Sequence, residues 1–240
     1  MGVRFSRILL KLSGEALAEE NQQFGHERLV NLAQAIAQIV LSGVQVGIVV
    51  GAGNIFRARS ANLEVLDRVT ADHVGMMATL LNAAVLRDYL RAEGISARVF
   101  SPRAVVPLAQ SFSRDAAMPF LQGGGVLLFA GGTGNPYFTT DSAAALRALE
   151  IGADVLLKAT QVDGVYDKDP RQHPDAHRFD RLTYEEVINQ RLGVMDLTAV
   201  TLCAERGLPV LVFDITDPAN LVRTMRGEPL GTWIKKESRP

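Results

Sequence analysis

A run of five apolar residues at positions 126–130 leads directly into the glycine-rich stretch GGTGNPYFTTD at 131–141. The apolar run is typical of a strand buried on both faces, and the last three residues of the stretch are types that cap helices. A strand, a glycine loop and a helix start in this order present backbone N–H groups and the positive end of a helix dipole to an anion. The stretch therefore predicts a phosphate-binding turn, in preference to a plain strand-to-helix connection.

Short apolar strands and amphipathic helices alternate along the whole chain, and several helix patterns end at glycines such as Gly43, Gly94 and Gly207. Repeated strand–helix units predict a mostly parallel sheet covered on both faces. We therefore expect one α/β domain over residues 1–240, a three-layer αβα sandwich. The predicted strands span residues 7–11, 46–50, 97–100, 126–130, 154–157, 209–213 and 232–234, and the predicted helices begin near residues 27, 72, 139, 183, 195 and 217.

The predicted helix at 72–93 carries an apolar stripe that either enters the core or packs against a second subunit. The stripe consists of Met76, Met77, Leu80, Leu81 and Ala84.

Composition excludes several classes of protein. The net charge of −1 does not suggest a nucleic-acid or anionic-membrane surface, and we expect neither partner. No apolar run approaches the roughly 20 residues of a membrane helix. A single cysteine, Cys203, excludes an intrachain disulfide framework and fits a reducing, cytoplasmic location. Cys203 lies in an apolar helical pattern and is expected in the core.

Polar glycine loops follow four of the predicted strands, at residues 13–14, 51–54, 131–135 and 158–164. Ligands of parallel α/β folds bind beyond the carboxyl ends of the strands, where these loops lie. The loop at 51–54 is not a dinucleotide fingerprint, because Phe56 occupies the third glycine position, and the Walker pattern is also absent. Phosphate binding here would use neither common fingerprint.

Basic side chains lie near these loops. Lys11 ends an apolar strand, where a lysine is rarely tolerated without a partner, so it is a candidate phosphate clamp. Arg57 follows Gly53 by four residues and can reach back over its loop, although Arg59 could fill the same role. Lys158 is a third candidate cation.

Two aspartates, Asp141 and Asp196, stand beside predicted helix starts. From the pattern alone the capping interpretation leads, and orienting Lys11 or supporting a metal are the alternatives. His173 and His177 have metal-ligand spacing, but Pro174 disfavours a helix there and no cysteine joins them, so a zinc site is not expected.

Several motifs together resemble the bacterial uridylate kinase branch of the amino-acid kinase family, and the resemblance extends over about residues 7–234. The motifs are KLSG at 11–14, GAGNIFR at 51–57, DH at 72–73, GTGNPYFTTDS at 132–142, KATQVDGVY at 158–166 and VMDL at 194–197.

The resemblance implies the amino-acid kinase fold and transfer of the γ-phosphoryl group of ATP to UMP, giving UDP. It implies Mg²⁺ held mainly by the ATP phosphates, an acceptor lobe at 1–152 and an ATP lobe at 153–240. Phosphoryl transfer would involve Lys11, Arg57, Asp141 and Asp196. ATP would bind Lys11, Leu12, Ser13, Gly14, Gly53, Arg57, Thr160, Tyr166 and Asp169. UMP would bind Ala52, Asp72, Thr133, Gly134, Asn135, Pro136, Tyr137, Phe138, Thr139 and Thr140.

The resemblance also implies a homohexamer, activation by GTP and inhibition by UTP. Two positions depart from the family pattern. Ala52 replaces the middle of three glycines, and its methyl group would tighten the approach of a phosphate. Residues 19–23, EENQQ, differ from the glycine-rich form in the region associated with GTP activation.

Two rival functions remain at this point. A sibling kinase would phosphorylate a carboxylate or carbamate such as acetylglutamate, but such an acceptor has no base or sugar to match the aromatic and hydroxyl groups at 137–140. A nucleotide sensor would bind UMP or UTP without turnover, and the presence of Lys11 and Arg57 argues against that loss of catalysis.

Overall fold

One nine-stranded sheet forms the centre of the molecule in the computed structural model, which describes residues 5–57 and 65–237. The strand order is β4-β3-β5-β2-β1-β6-β10-β11-β9, and within it only β10 and β11 pair antiparallel. The strands of this sheet are β1 Arg7–Leu12, β2 Gln45–Val50, β3 Ala97–Ser101, β4 Gln110–Ser111, β5 Val126–Phe129, β6 Val155–Thr160, β9 Arg181–Thr183, β10 Val210–Asp214 and β11 Thr232–Lys235. A separate hairpin pairs β7 Val165–Tyr166 with β8 Arg178–Phe179.

Helices cover both faces of the sheet, so the predicted three-layer αβα sandwich is confirmed. One layer contains α1, α2 and α7, and the other contains α3, α4, α5 and α6. The helices are α1 His26–Leu41, α2 Arg68–Ala92, α3 Arg114–Gln122, α4 Thr140–Ile151, α5 Tyr184–Asn189, α6 Leu197–Arg206 and α7 Ala219–Met225.

The side chains of the central strand β1 alternate between the two layers. Ile8, Leu10 and Leu12 pack toward the layer of α1 and α2, whereas Leu9 packs toward the layer of α4. Because successive side chains point to opposite faces, Lys11 lies on the same face as Leu9. The parallel register pairs Lys11 with Lys158 of β6, so both lysines lie on the α4 face at the carboxyl edge of the sheet.

Helix α2 begins at Arg68, four residues earlier than the pattern predicts, because Asp67 caps it by accepting from the N–H groups of Val69 and Thr70. Only part of the predicted apolar stripe on α2 enters the core. Leu80 is buried, but Met77 and Leu81 are 55% and 50% exposed.

Among the helices that the structure describes, α2 alone has the length and apolar composition that a membrane span would need, which the sequence expectation missed. In this fold 39% of the apolar 18-residue stretch of α2 is buried, and the helix packs on β3 and α1.

Several helix caps match the sequence patterns. Thr183 and Glu186 form a capping box at the predicted helix start near residue 183, and Asp196 caps α6 by accepting from the N–H of Ala199. Helix α7 begins at Ala219 with Pro218 at its cap position, close to the predicted start near residue 217. Helix α3 and the β7–β8 hairpin were not predicted.

Candidate active site

Two lysines and one aspartate meet beyond the carboxyl ends of β1 and β6. The Nζ of Lys11 lies 3.0 Å from Oδ1 of Asp141, and the Nζ of Lys158 lies 2.7 Å from Oδ2 of the same carboxylate. Lys158 also donates to the carbonyl of Val194. The three charged side chains are only 12–14% exposed, so their charges interact through a poorly solvated region.

The capping interpretation was wrong for Asp141. Thr139 caps α4 by accepting from the N–H groups of Asp141 and Ser142, which leaves the carboxylate of Asp141 to face the lysines. Since Asp141 lies in the first turn of α4, its side chain is held beside the positive end of that helix.

The pKa values of the cluster follow from burial and from the neighbouring charges. Burial alone would raise the pKa of Asp141, but Lys11 and Lys158 outweigh it and hold that pKa below its usual range. Burial is the main cause that lowers the pKa of Lys158, and the like charge of Lys11 lowers it further, whereas Asp141 opposes the shift. Two lysine side chains thus share one carboxylate partner at the centre of the cluster.

Asp196 joins the starts of two helices. Besides capping α6, its Oδ1 accepts from the hydroxyl of Ser142 at 2.8 Å, and its Oδ2 accepts from the hydroxyl of Thr139. Both hydroxyls belong to the first turn or cap of α4, next to Asp141. Asp196 therefore fixes the helix start that carries Asp141, and the charge of Asp196 also favours the protonated form of Lys158.

The first two glycine loops pack against each other. A Cβ on Gly14 would lie 2.5 Å from the backbone nitrogen of Gly53, so only glycine allows this approach. Arg57 reaches back over the loop as predicted, with its Nε donating to the carbonyl of Gly53 at 3.0 Å. Its guanidinium also pairs with Glu15 at 2.5 Å.

A cleft of about 790 Å³ opens beside these loops and the lysine cluster. Its volume lies within the usual range of small-molecule sites. Its lining brings together many residues predicted for one nucleotide, namely Lys11, Ser13, Arg57, Thr160, Tyr166 and Asp169, together with Glu15, Lys158 and Val194. The side chain of Leu12 is fully buried in the core, so Leu12 can offer this cleft only its backbone.

The loop after β5 is held from α2. Asp72 accepts from the backbone N–H of Tyr137 at 2.8 Å and pairs with Arg68, whose guanidinium lies over the Tyr137 ring. Tyr137 has a φ of 69°, a conformation that non-glycine residues seldom adopt, and the Asp72 contact helps to hold it. The rings of Tyr137 and Phe138 are 68% and 49% exposed.

A second, smaller cavity of about 120 Å³ lies between α2 and this loop. Among the residues predicted for the acceptor, its lining includes Ala52, Asp72, Phe138, Thr139 and Thr140.

Other predicted acceptor residues lie outside the lining of that cavity. Thr133 and Asn135 bond to each other within their own turn, and Gly134 faces a separate apolar cavity beside Pro102. The structure does not bring Pro136 or Tyr137 into the small cavity.

The sequence underestimated one residue of the site, Lys158, and did not indicate another, Glu15. Lys158 was only a third candidate, although its register opposite Lys11 follows once β1 and β6 are neighbours. Glu15 carried no signal apart from its place beside the KLSG motif. Arg59, the alternative to Arg57, lies outside the described residues. Within residues 5–57 and 65–237, no three His, Cys, Asp or Glu side chains are grouped to hold a metal ion.

Comparisons with known proteins identify the family of the chain. Uridylate kinase of Pseudomonas paraeruginosa (strain DSM 24068 / PA7) is 49% identical over 235 residues, which cover 97% of this chain and 96% of that protein. The crystal structure of UMP kinase from Bacillus anthracis superposes with a TM-score of 0.93 at 37% identity, covering 98% of this chain and 97% of that one. UMP kinase from Ureaplasma parvum gives 0.91 at 35% identity, covering 97% and 100%. The sequence model of the amino acid kinase family matches residues 6–214, and the chain belongs to that family.

Proposed function

We propose that this protein transfers the γ-phosphoryl group of ATP to UMP, giving UDP and ADP in a reversible reaction of pyrimidine nucleotide synthesis. The observation that carries the proposal is the convergence of Lys11 and Lys158 on Asp141, at the edge of a cleft large enough for a nucleotide. The names of the relatives at 49% identity and of the structural neighbours support the choice of acceptor.

The chemistry requires charge neutralisation more than proton transfer. The phosphate of UMP has a second pKa of about 6, so at pH 7 it is largely a dianion and needs no general base. The obstacle is the repulsion between two polyanions. Lys11, Lys158 and the N-terminus of α4 would offset it, because fixed positive groups in a poorly solvated site stabilise charge that spreads over the transferred phosphoryl group. Asp141 and Asp196 would keep these groups in place.

We assign the large cleft to ATP. Ser13, Gly14 and Gly53 would surround its phosphates through backbone N–H groups, with Leu12 contributing backbone only, and Arg57 would exchange its pairing with Glu15 for a phosphate oxygen. At the other end, the adenine and ribose would bind beside Thr160, Tyr166 and Asp169. Under this assignment residues 153–240 form most of the ATP lobe and residues 1–152 form the acceptor lobe.

We assign the small cavity and its loop to UMP. Asp72 and Ala52 would face the ribose and phosphate, and the loop residues would enclose the nucleotide. A volume of about 120 Å³ is too small for a nucleotide, so the loop would open when UMP enters. The exposed rings at the tip offer apolar surface to a base. The loop residues assigned to UMP are Thr133, Gly134, Asn135, Pro136, Tyr137, Phe138, Thr139 and Thr140.

Magnesium fits this site as a phosphate-bound ion. Asp141 already faces two lysines, and within the described residues no three His, Cys, Asp or Glu side chains are grouped to hold a metal ion. Mg²⁺ would therefore be held by the ATP phosphates, where it neutralises charge on the transferred group. Lys11 and Lys158 would bind the remaining phosphate oxygens.

We further propose a cytoplasmic homohexamer that is activated by GTP and inhibited by UTP. Support for self-association comes from the exposed apolar side chains Val74, Met77 and Leu81 on α2. Support for the regulation comes from the resemblance alone. Mass measurement of the native particle, and turnover with GTP or UTP added, would test these two statements separately.

An acceptor panel tests the proposed function. ADP formation from ATP and Mg²⁺ is followed with UMP, CMP, dTMP and N-acetylglutamate, and we expect turnover with UMP. Lys11→Ala or Arg57→Ala should lower kcat by roughly 10²-fold, the scale of one lost electrostatic group. Arg223→Ala, on α7 in the opposite helix layer, is the matched control and should leave kcat within twofold. Losses of tenfold or less for both Lys11→Ala and Arg57→Ala would refute these roles.

A further inference from the structure

Helix α2 carries two fully buried polar side chains on an otherwise apolar inner face. Thr79 is 2% exposed and Asn82 is 0% exposed. They are three residues apart, so they lie on the same side of the helix, about 5–6 Å from each other. Buried polar groups are costly unless they are hydrogen-bonded, so their partners indicate what they do.

Thr79 holds the beginning of the loop assigned to UMP. Its Oγ1 accepts from the backbone N–H of Gly131 at 2.7 Å and donates to the carbonyl of Met76 at 2.6 Å. Gly131 is the second residue after β5 and has a φ of 73°, so its N–H has left the ladder of the sheet. The hydroxyl therefore satisfies a buried donor at the point where the chain turns toward the acceptor loop.

Asn82 holds the loop assigned to the phosphates of ATP. Its Nδ2 donates to the carbonyl of Gly51 at 2.7 Å and to Oδ1 of Asn54 at 2.7 Å, and its Oδ1 accepts from Nδ2 of Asn54 at 3.1 Å. Asn54 also donates to the carbonyl of Gln23 at 2.7 Å. One side chain thus fixes both ends of the turn at residues 51–54 and, through Asn54, connects that turn to Gln23.

The two loops leave neighbouring strands. β2 and β5 pair in parallel, and adjacent strands lie about 4.8 Å apart, close to the spacing of Thr79 and Asn82 along α2. Helix α2 therefore contacts the loop after β5 through Thr79 and the loop after β2 through Asn82.

We propose that Thr79 and Asn82 are positioning residues that set the separation of the two nucleotide loops, Thr79 acting on the acceptor loop and Asn82 on the phosphate loop. This inference rests on the proposed function, because that function assigns the two loops to different substrates. Asn82 lines neither cavity, and Thr79, although it borders the small cavity, directs its hydroxyl to the backbone of Gly131 and Met76. Each acts through backbone groups of the loop that it holds.

Separate substitutions should affect separate substrates. Thr79→Val removes the acceptor for Gly131 and should raise KM for UMP about tenfold, with KM for ATP within twofold. Thr79→Ser keeps the hydroxyl and should restore KM for UMP to within about threefold of the original. Asn82→Leu should instead raise KM for ATP and lower kcat, each about tenfold. Leu86→Val, a buried apolar change on the same helix, is the control: it should lower Tm but leave both KM values within twofold.

A pH signature identifies the hydrogen bond from Asn82. In Asn82→Asp, the carboxylate would face the Gly51 carbonyl without a donor, whereas the protonated acid could donate to it. Burial raises the pKa of such an acid, so kcat relative to the original protein should rise as pH falls from 8 to 6. A ratio that is flat across this range would overturn the proposed role of Asn82 as a donor.

Amide hydrogen exchange of the unliganded protein decides the proposal without any turnover. Thr79→Val should speed exchange at residues 131–135 and leave 51–54 unchanged, and Asn82→Leu should do the reverse. Equal effects of both variants on both loops, or effects no larger than those of Leu86→Val, would overturn the proposal. If the original protein forms no UDP, the proposed function fails, while the exchange pattern still supports or overturns the positioning roles.

Discussion

Replacing Asp141 with asparagine is the sharpest perturbation of the central cluster. The change keeps the shape of the side chain and removes the only anion that directly contacts both Lys11 and Lys158 in the described structure. Two poorly solvated ammonium groups then face each other across a neutral amide. Since like charges in such surroundings repel strongly, we expect lower stability and displacement of at least one lysine.

The size of the effect follows from burial. Removing one member of a buried ion pair costs about 3–5 kcal/mol, and the amide oxygen that remains as an acceptor for Lys158 places this change near 3 kcal/mol. For a chain of this length, each kcal/mol lowers Tm by about 2–4 °C, so Asp141→Asn should lower Tm by about 6–12 °C at pH 7. kcat should fall as well, because the lysines lose the group that orients them.

The loss of stability caused by Asp141→Asn should depend on pH in a defined direction. The native pKa of Asp141 is lowered, so its contribution is present above the unfolded value of about 3.9 and is lost as pH falls through the native pKa. The Tm difference between the two proteins should therefore shrink in acid below about pH 4. The native pKa of Lys158 is also lowered, so the variant should regain stability as rising pH neutralises this buried amine.

Calorimetry or circular dichroism between pH 3 and pH 10 measures these shifts. Asp154→Asn is the matched control, since Asp154 accepts from the N–H groups of Ser6 and Arg7 at the opposite edge of the sheet and is exposed. Its Tm should change by only about 1–2 °C. A shift below about 2 °C for Asp141→Asn at pH 7, or one that grows in acid, would refute the account of the cluster.

Two further changes test other parts of the structure. Asp196→Ala removes the cap of α6 and the acceptor for the hydroxyls of Thr139 and Ser142 at the start of α4. A loss of about 2 kcal/mol should lower Tm by about 4–8 °C, and kcat should fall with it. An unchanged kcat would contradict a role of Asp196 in holding α4. Cys203 is fully buried, and this burial raises the pKa of its thiol to about 12. At pH 8 a thiol reagent should therefore not label the folded protein, whereas one equivalent should react in denaturant. Rapid labelling of the native state would contradict that burial.

Much of the fold was predictable because its signals are local. Apolar runs ending in glycine loops identify the parallel strands, and the predicted helix start near residue 183 and the cap at Asp196 are confirmed. The positions of Lys11 and Arg57 beside the glycine loops were also predicted, the first from an unexpected charge in an apolar strand and the second from its four-residue reach.

The rest depended on contacts between distant parts of the chain. Asp141 has the pattern of a cap, and only the packing of α4 over β1 and β6 reveals that it faces two lysines. In the sequence, Thr79 and Asn82 look like breaks in an apolar stripe. Their loop partners, Gly131 and Gly51, lie 52 and 31 residues away along the chain. Because α2 turns the side of Thr79 and Asn82 toward the sheet, Met77 is left on the exposed side of the helix.

The destination of the phosphoryl group tests the central claim most directly. The protein would be incubated with ATP labelled with ³²P in the γ position, Mg²⁺ and UMP, and the nucleotides separated. The account predicts label in UDP, in amounts equal to the ADP formed, and at least tenfold less in Lys11→Ala. Label in inorganic phosphate alone, label transferred to N-acetylglutamate in preference to UMP, or binding of UMP with no transfer would contradict it.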